Sequence, residues 1–119
     1  MSFQSIMRGP LEQVYGAIGW AFLADDGEIV FQETHPGVEN LQLLAAYHGI
    51  TAGNYRRFGL REALGEIRTI ICGYDHATCI LKLFPEGYFL IFVMGAESNI
   101  GMALHLLDGL MPGLVKEIE

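Results

Sequence analysis

Tyr88-Phe89-Leu90-Ile91-Phe92-Val93-Met94, followed at once by Gly95-Ala96-Glu97-Ser98-Asn99-Ile100-Gly101, decides how the rest of the chain is read. Seven consecutive apolar or aromatic residues without alternation read as a strand covered on both faces of its sheet. Gly95 ends the run, and Ser98 is the expected N-cap of a helix. From Ile100 onward, Ala103, Leu104, Leu107, Leu110, Met111, Leu114, Val115 and Ile118 fall on one stripe at helical spacing. A central strand therefore feeds a terminal helix that folds back over the sheet. Gly109, Pro112 and Gly113 are expected to kink or break that helix.

Upstream of the central strand, residues 66–72 and 77–84 have β pattern, separated by a turn at Gly73-Tyr74-Asp75-His76. Pro85-Glu86-Gly87 then turns into the central run. An earlier hairpin begins at Ala17-Ile18-Gly19-Trp20-Ala21-Phe22-Leu23-Ala24, where parity sends Ile18, Trp20 and Phe22 to one face and Ala17, Gly19 and Ala21 to the other. Asp25-Asp26-Gly27 makes the turn, and residues 28–33 return as a more polar, edge-type strand. At the N-terminus, Phe3, Ile6 and Met7 suit a short amphipathic helix stopped by Gly9-Pro10, with another turn through residues 11–15.

Between the hairpins, residues 38–57 form a helix with an unusual wheel. At about 100° per residue, Val38, Leu41, Leu44, Ala45, Ala52 and Tyr55 cluster on one side, with His48 among them. Leu43, Ala46, Tyr47 and Ile50 cluster on nearly the opposite side. One stripe suffices to hold a surface helix on its own core, so two imply a second contact, within the domain or with another chain. The element order α-β-β-α-β-β-β-α gives an α+β fold, an antiparallel sheet with helices on both faces.

Composition narrows the function classes. At 119 residues, with 51% hydrophobic and 18% charged, the chain is expected to be one ordered domain spanning 1–119. Its net charge of −7 makes it a poor binder of phosphate backbones, and Arg56, Arg57, Arg61 and Arg68 offer only a small basic patch. No nucleic-acid partner is expected. The longest apolar runs, 16–24 and 88–96, are about half of a membrane span. The N-terminus lacks signal-peptide character, so neither membrane nor export is expected. Cys72 and Cys79 are expected to be reduced and buried, which suits the cytoplasm.

Chemistry-bearing motifs are missing from the sequence. It has no Gly-rich loop followed by Lys and Ser/Thr, and residues 95–101 lack the dinucleotide fingerprint. None of His35, His48, His76 and His105 is paired at metal-ligand spacing or sits beside a nucleophile. His48 reads as a helix-face histidine with one hydrogen bond, and His105 as solvated. Asp25-Asp26-Gly27 is what a tight turn needs, and no further EF-hand ligands follow it. The reading is a non-enzymatic chain with no catalytic residue, cofactor or metal.

The segment from Ala17 through Asp25-Asp26-Gly27 to Val30 resembles the first hairpin of the Roadblock family, which includes Roadblock-type dynein light chains and prokaryotic regulators of Ras-like GTPases. Gly87 to Met94, Asn99-Ile100-Gly101 and the helix through Leu104 and Leu107 resemble that family's last strand and helix. The resemblance implies a five-stranded antiparallel sheet of order 2-1-5-4-3, Roadblock/profilin-like, with the middle helix on one face and the terminal helices on the other. It implies a homodimer or heterodimer that joins third strands edge to edge and lays middle helices side by side. The implied interface is Leu43, Ala46, Tyr47 and Ile50 with Ile67, Thr69 and Ile71 of the third strand. The implied function is an interaction module that regulates or scaffolds a small Ras-like GTPase. A small-molecule-sensing domain of PAS-like or profilin-like shape is the alternative. Gly9-Pro10 is a departure, because the family commonly opens with a longer helix.

Overall fold

In the computed structural model, which describes residues 2–36 and 40–119, five strands form one antiparallel sheet. They are β1 (Ala17–Leu23), β2 (Ile29–Thr34), β3 (Thr69–Gly73), β4 (Ala77–Leu83) and β5 (Phe89–Gly95), in the order β2-β1-β5-β4-β3. β5 is central, as its unbroken apolar run demands, and both of its faces are buried. Leu90, Phe92 and Met94 join Trp20, Phe22 and Ile80 beneath α1 (Phe3–Gln13) and α3 (Ile100–Ile118). Phe89, Ile91 and Val93 join Ala21, Leu23, Cys79 and Leu81 beneath α2 (Leu41–Arg61). The sheet thus has two terminal helices on one face and the middle helix alone on the other.

Several local expectations are corrected. The N-terminal helix does not stop at Gly9-Pro10; Pro10 lies inside an 11-residue α1. Phe3, Met7, Pro10 and Leu11 form one buried face. Burying Phe3, Met7 and Leu11, at about 1.5–3 kcal/mol each, outweighs the roughly 3 kcal/mol a mid-helix proline costs. α3 likewise continues through Gly109, Pro112 and Gly113, because Ala103, Leu107 and Leu114 anchor both halves to the same core. Its N-cap is Asn99, whose side chain accepts from the Met102 N–H at 2.9 Å. Ser98 instead donates to the Tyr15 carbonyl at 2.7 Å, tying the end of β5 to the start of β1.

Ile18 does not share a face with Trp20 and Phe22. A β-bulge between Ala17 and Gly19 shifts the register against β5 and turns Ile18 toward the α2 side. α2 runs past Phe58-Gly59 to Arg61, not only to Arg57. Gly59 allows this: a Cβ there would lie 2.7 Å from the Gly65 carbonyl oxygen. The helix closes when the Leu64 N–H donates back to the Gly59 carbonyl at 2.8 Å, with Ala63 at φ 57°. The expected helix start at Val38 lies outside the described residues. β3 begins at Thr69, not Glu66, so Ile67 precedes the strand.

Candidate interaction surface

The outward face of α2 carries the exposed stripe anticipated from the wheel. Leu43, Tyr47 and Ile50 are 56%, 66% and 65% exposed, and Ala46 is exposed beside them. The opposite face, Leu41, Ala45, His48, Ala52 and Gly59, is buried. Tyr55 departs from expectation: it is half exposed, not packed on the sheet. Leu44 is partly buried against the core under α2.

The two flanks of α2 differ. On one, His48 reaches the β3 edge: its Nε2 is 2.8 Å from the Tyr74 hydroxyl and its Nδ1 is 3.7 Å from Cys72 Sγ. Burial lowers the His48 pKa from its ordinary value, which favours the neutral ring, whose Nε2 can accept the Tyr74 proton. Burial also raises the Cys72 thiol, and burial followed by the neighbouring Cys72 pushes Cys79 to about 11. The two cysteines pair across β3 and β4 as free thiols.

On the other flank, Gly49 lets Phe89 approach so closely that a Cβ would meet the ring at 2.7 Å. A groove of about 460 Å³ opens there between Ala46, Gly49, Ile50, Gly53 and Arg57 of α2 and the Asp25-Asp26-Gly27 turn. The four stripe residues therefore do not share one environment. Ala46 and Ile50 line this groove, Leu43 borders a depression beside the end of β2, and Tyr47 is turned about 60° from Ile50 toward the His48 flank.

β3 is an edge strand, hydrogen-bonded to β4 alone. Ile71 is 46% exposed there. Thr69 is half-buried and accepts from Lys82 Nζ at 2.6 Å; Lys82, almost fully buried, also donates to Asp108 of α3. Ile67 is half-buried against the α2-side core. Of Ile67, Thr69 and Ile71, expected at an interface, only Ile71 is exposed.

Sequence reasoning passed over the last turns of α2. Tyr55 and Phe58 are exposed there beside Arg57 and Arg61. Continuing the wheel past Arg57 finds Phe58 and Arg61, which follow Asn54 at i+4 and i+7, whereas the wheel assigns Tyr55 to the sheet side. Among the described residues, no group of three or more His, Cys, Asp or Glu could hold a metal ion. No helix of the described residues is long and apolar enough to cross a membrane.

An antiparallel sheet of this order, one helix on one face and two on the other, defines a Roadblock-type α+β fold. Similarity to solved structures extends over nearly the whole chain. The Roadblock/LC7 domain from Streptomyces avermitilis superposes with a TM-score of 0.76 at 18% identity, covering 96% of this chain and 98% of that one. MglB in a tetrameric arrangement superposes with a TM-score of 0.83 at 12% identity, covering 97% and 86%. Profilin IA of Acanthamoeba castellanii, at 17% identity, gives a TM-score of 0.65 and covers 99% and 100%. No family model and no curated protein matches the chain.

Proposed function

We propose that this chain is a non-enzymatic, homodimeric interaction module of the cytoplasm that regulates or scaffolds a small Ras-like GTPase. The observation that carries the reading is that Leu43, Tyr47 and Ile50 are each more than half exposed on α2, the helix whose His48 reaches Cys72 and Tyr74 at the open β3 edge. A lone protomer leaves both in water, and a second copy can cover both with one two-fold operation. The tetrameric arrangement of MglB supports self-association on this fold. We assign the GTPase to the groove between α2 and the Asp25-Asp26-Gly27 turn, whose α2 wall includes Ala46 and Ile50 and so borders the face given to the second copy.

The small-molecule-sensing alternative needs a cavity between sheet and helices. That space is occupied by Trp20, Phe22, Phe89 and Phe92, all buried, and the grooves described above open on the outer surface. Light scattering at micromolar concentration is expected to give a dimer mass. Titration with purified Ras-like GTPases, loaded with GDP or a non-hydrolysable GTP analogue, is expected to give saturable binding to at least one. A monomer mass with no binding in any titration would overturn the reading, as would nucleotide hydrolysis by the chain alone.

A further inference from the structure

Charge is unevenly distributed along this chain. Residues 56–68 hold four of its seven cations, Arg56, Arg57, Arg61 and Arg68, with only Glu62 and Glu66 among them; the other three cations stand among twelve carboxylates. Arg56 is engaged, donating to the Phe84 carbonyl at 3.1 Å. Arg57 donates to the neutral Asn54 side chain. Arg61 has a solvent-exposed pair with Glu62 at 3.4 Å, a contact of little energetic weight. Among the described residues, then, neither Arg57 nor Arg61 is held by a buried carboxylate.

These two guanidiniums border apolar surface. Asn54, Tyr55, Arg57, Phe58 and Arg61 together form an open face on the last two turns of α2. Tyr55 and Phe58 are 52% and 46% exposed, and the Arg61 guanidinium carbon lies 5.7 Å from the Phe58 ring centre. Exposed aromatics beside arginines have the composition of interface hot spots. A guanidinium fork selects carboxylates by geometry as well as charge. Outside residues 56–68 carboxylates outnumber cations twelve to three, which biases an acidic partner toward this end, and Asp25 and Asp26 bound the patch where they share a groove with Arg57.

We propose that the C-terminal end of α2 docks an acidic segment of a partner protein that carries a large apolar side chain. The apolar anchor packs over Tyr55 and Phe58, and flanking carboxylates pair with Arg57 and Arg61. The proposal takes from the function above the idea of a protein partner, and it requires that a second copy leave this end of α2 uncovered, since Phe58 and Arg61 continue the stripe of Tyr47 and Ile50.

The test uses a fluorescein-labelled synthetic peptide with a Leu-Phe anchor between Glu triplets, followed by fluorescence anisotropy. Two control peptides carry Ser-Ser in place of the anchor or Lys in place of Glu. Saturable binding of the anchored acidic peptide is expected, at least about tenfold weaker for either control and weakened further by salt. Arg57→Glu with Arg61→Glu is expected to lose about tenfold or more in affinity, as is Phe58→Ser, each with unchanged circular dichroism and light-scattering mass. Absence of binding, or equal binding by folded charge-reversed and Phe58→Ser proteins, overturns the proposal. A fall from dimer to monomer in these variants also overturns it, since the occupant would then be a second copy. Failure of the dimer reading shows in the wild-type mass and failure of this one in peptide anisotropy, so the two are separable.

Discussion

Replacing Tyr47 and Ile50 together with Asp tests whether the outward face of α2 meets a second copy. Full burial of a large apolar side chain is worth about 1.5–3 kcal/mol. Tyr47 and Ile50 still expose 66% and 65% of their surface, so covering the remainder is worth about 1–2 kcal/mol for each. A two-fold interface uses each residue twice, which gives roughly 4–8 kcal/mol for the four side chains. Aspartates in their place also carry charge into the contact. The dimer is therefore expected to weaken by about three to six orders of magnitude. Light scattering at micromolar concentration should fall to the monomer mass while far-ultraviolet circular dichroism stays unchanged. Ala45→Asp is the contrasting variant. Ala45 is fully buried against the sheet, and an unpaired carboxylate there should unfold the protein. A Tyr47→Asp/Ile50→Asp protein that keeps its dimer mass would refute the assignment of this face, and one that loses its helix and sheet signal would show that the two faces are reversed.

The closure of α2 gives a paired test: Ala63 sits at φ 57° and Gly59 faces the Gly65 carbonyl. Ala63→Gly should stabilise by up to about 1 kcal/mol and Gly59→Ala should destabilise by about 1–3 kcal/mol, both read from urea unfolding midpoints. His48 has a folded pKa below its usual 6.5, so the unfolded chain takes up its proton first as pH falls. Its contribution to stability should be complete above pH 6.5 and decline as pH drops below that value toward the folded pKa. His48→Gln should flatten this part of the thermal-melt profile, and an unchanged slope would contradict the burial argument. Cys79, pushed to about 11, and Cys72, also raised, should react slowly with a thiol reagent at pH 8 until denaturant is added. Rapid labelling of the native protein would show that the β3–β4 pair is more open than described.

The features legible in the sequence are those that one stretch of chain fixes alone. The seven-residue apolar run needs cover on both sides, which placed β5 at the centre of the sheet. Asp25-Asp26-Gly27 carries its own turn chemistry, with the Asp26 carboxylate accepting from the Glu28 N–H at 2.9 Å and Gly27 at φ 86°. The misread positions are those where a distant partner overrides local preference. Pro10 and Pro112 are helix breakers by propensity, yet each lies in a helix that the core clamps on both sides of the proline. Ile18 changes face because of a bulge in its pairing with β5, which no parity count on β1 alone detects. Gly59 signals a helix end until the Gly65 carbonyl packed against it shows that the glycine is there to keep the helix going.

The same reasoning explains why the interaction surface was legible only in outline. A second apolar stripe on α2 is a surplus that one chain cannot use, so its existence can be read from the wheel. How it divides among neighbours depends on the flanks, and these are set by non-local contacts: His48 with Tyr74 and Cys72 on one side, Gly49 with Phe89 on the other. Once the flanks are fixed, Ile50 faces the groove beside the Asp25-Asp26-Gly27 turn while Tyr47 leans toward the β3 edge. The two residues therefore need not act alike. If a second copy approaches along β3 and another partner approaches over the groove, Tyr47→Asp alone should weaken the dimer more than Ile50→Asp alone. Ile50→Asp should in turn cost more in partner binding. Equal effects of the two single variants on both readouts would mean that a single surface covers the whole stripe.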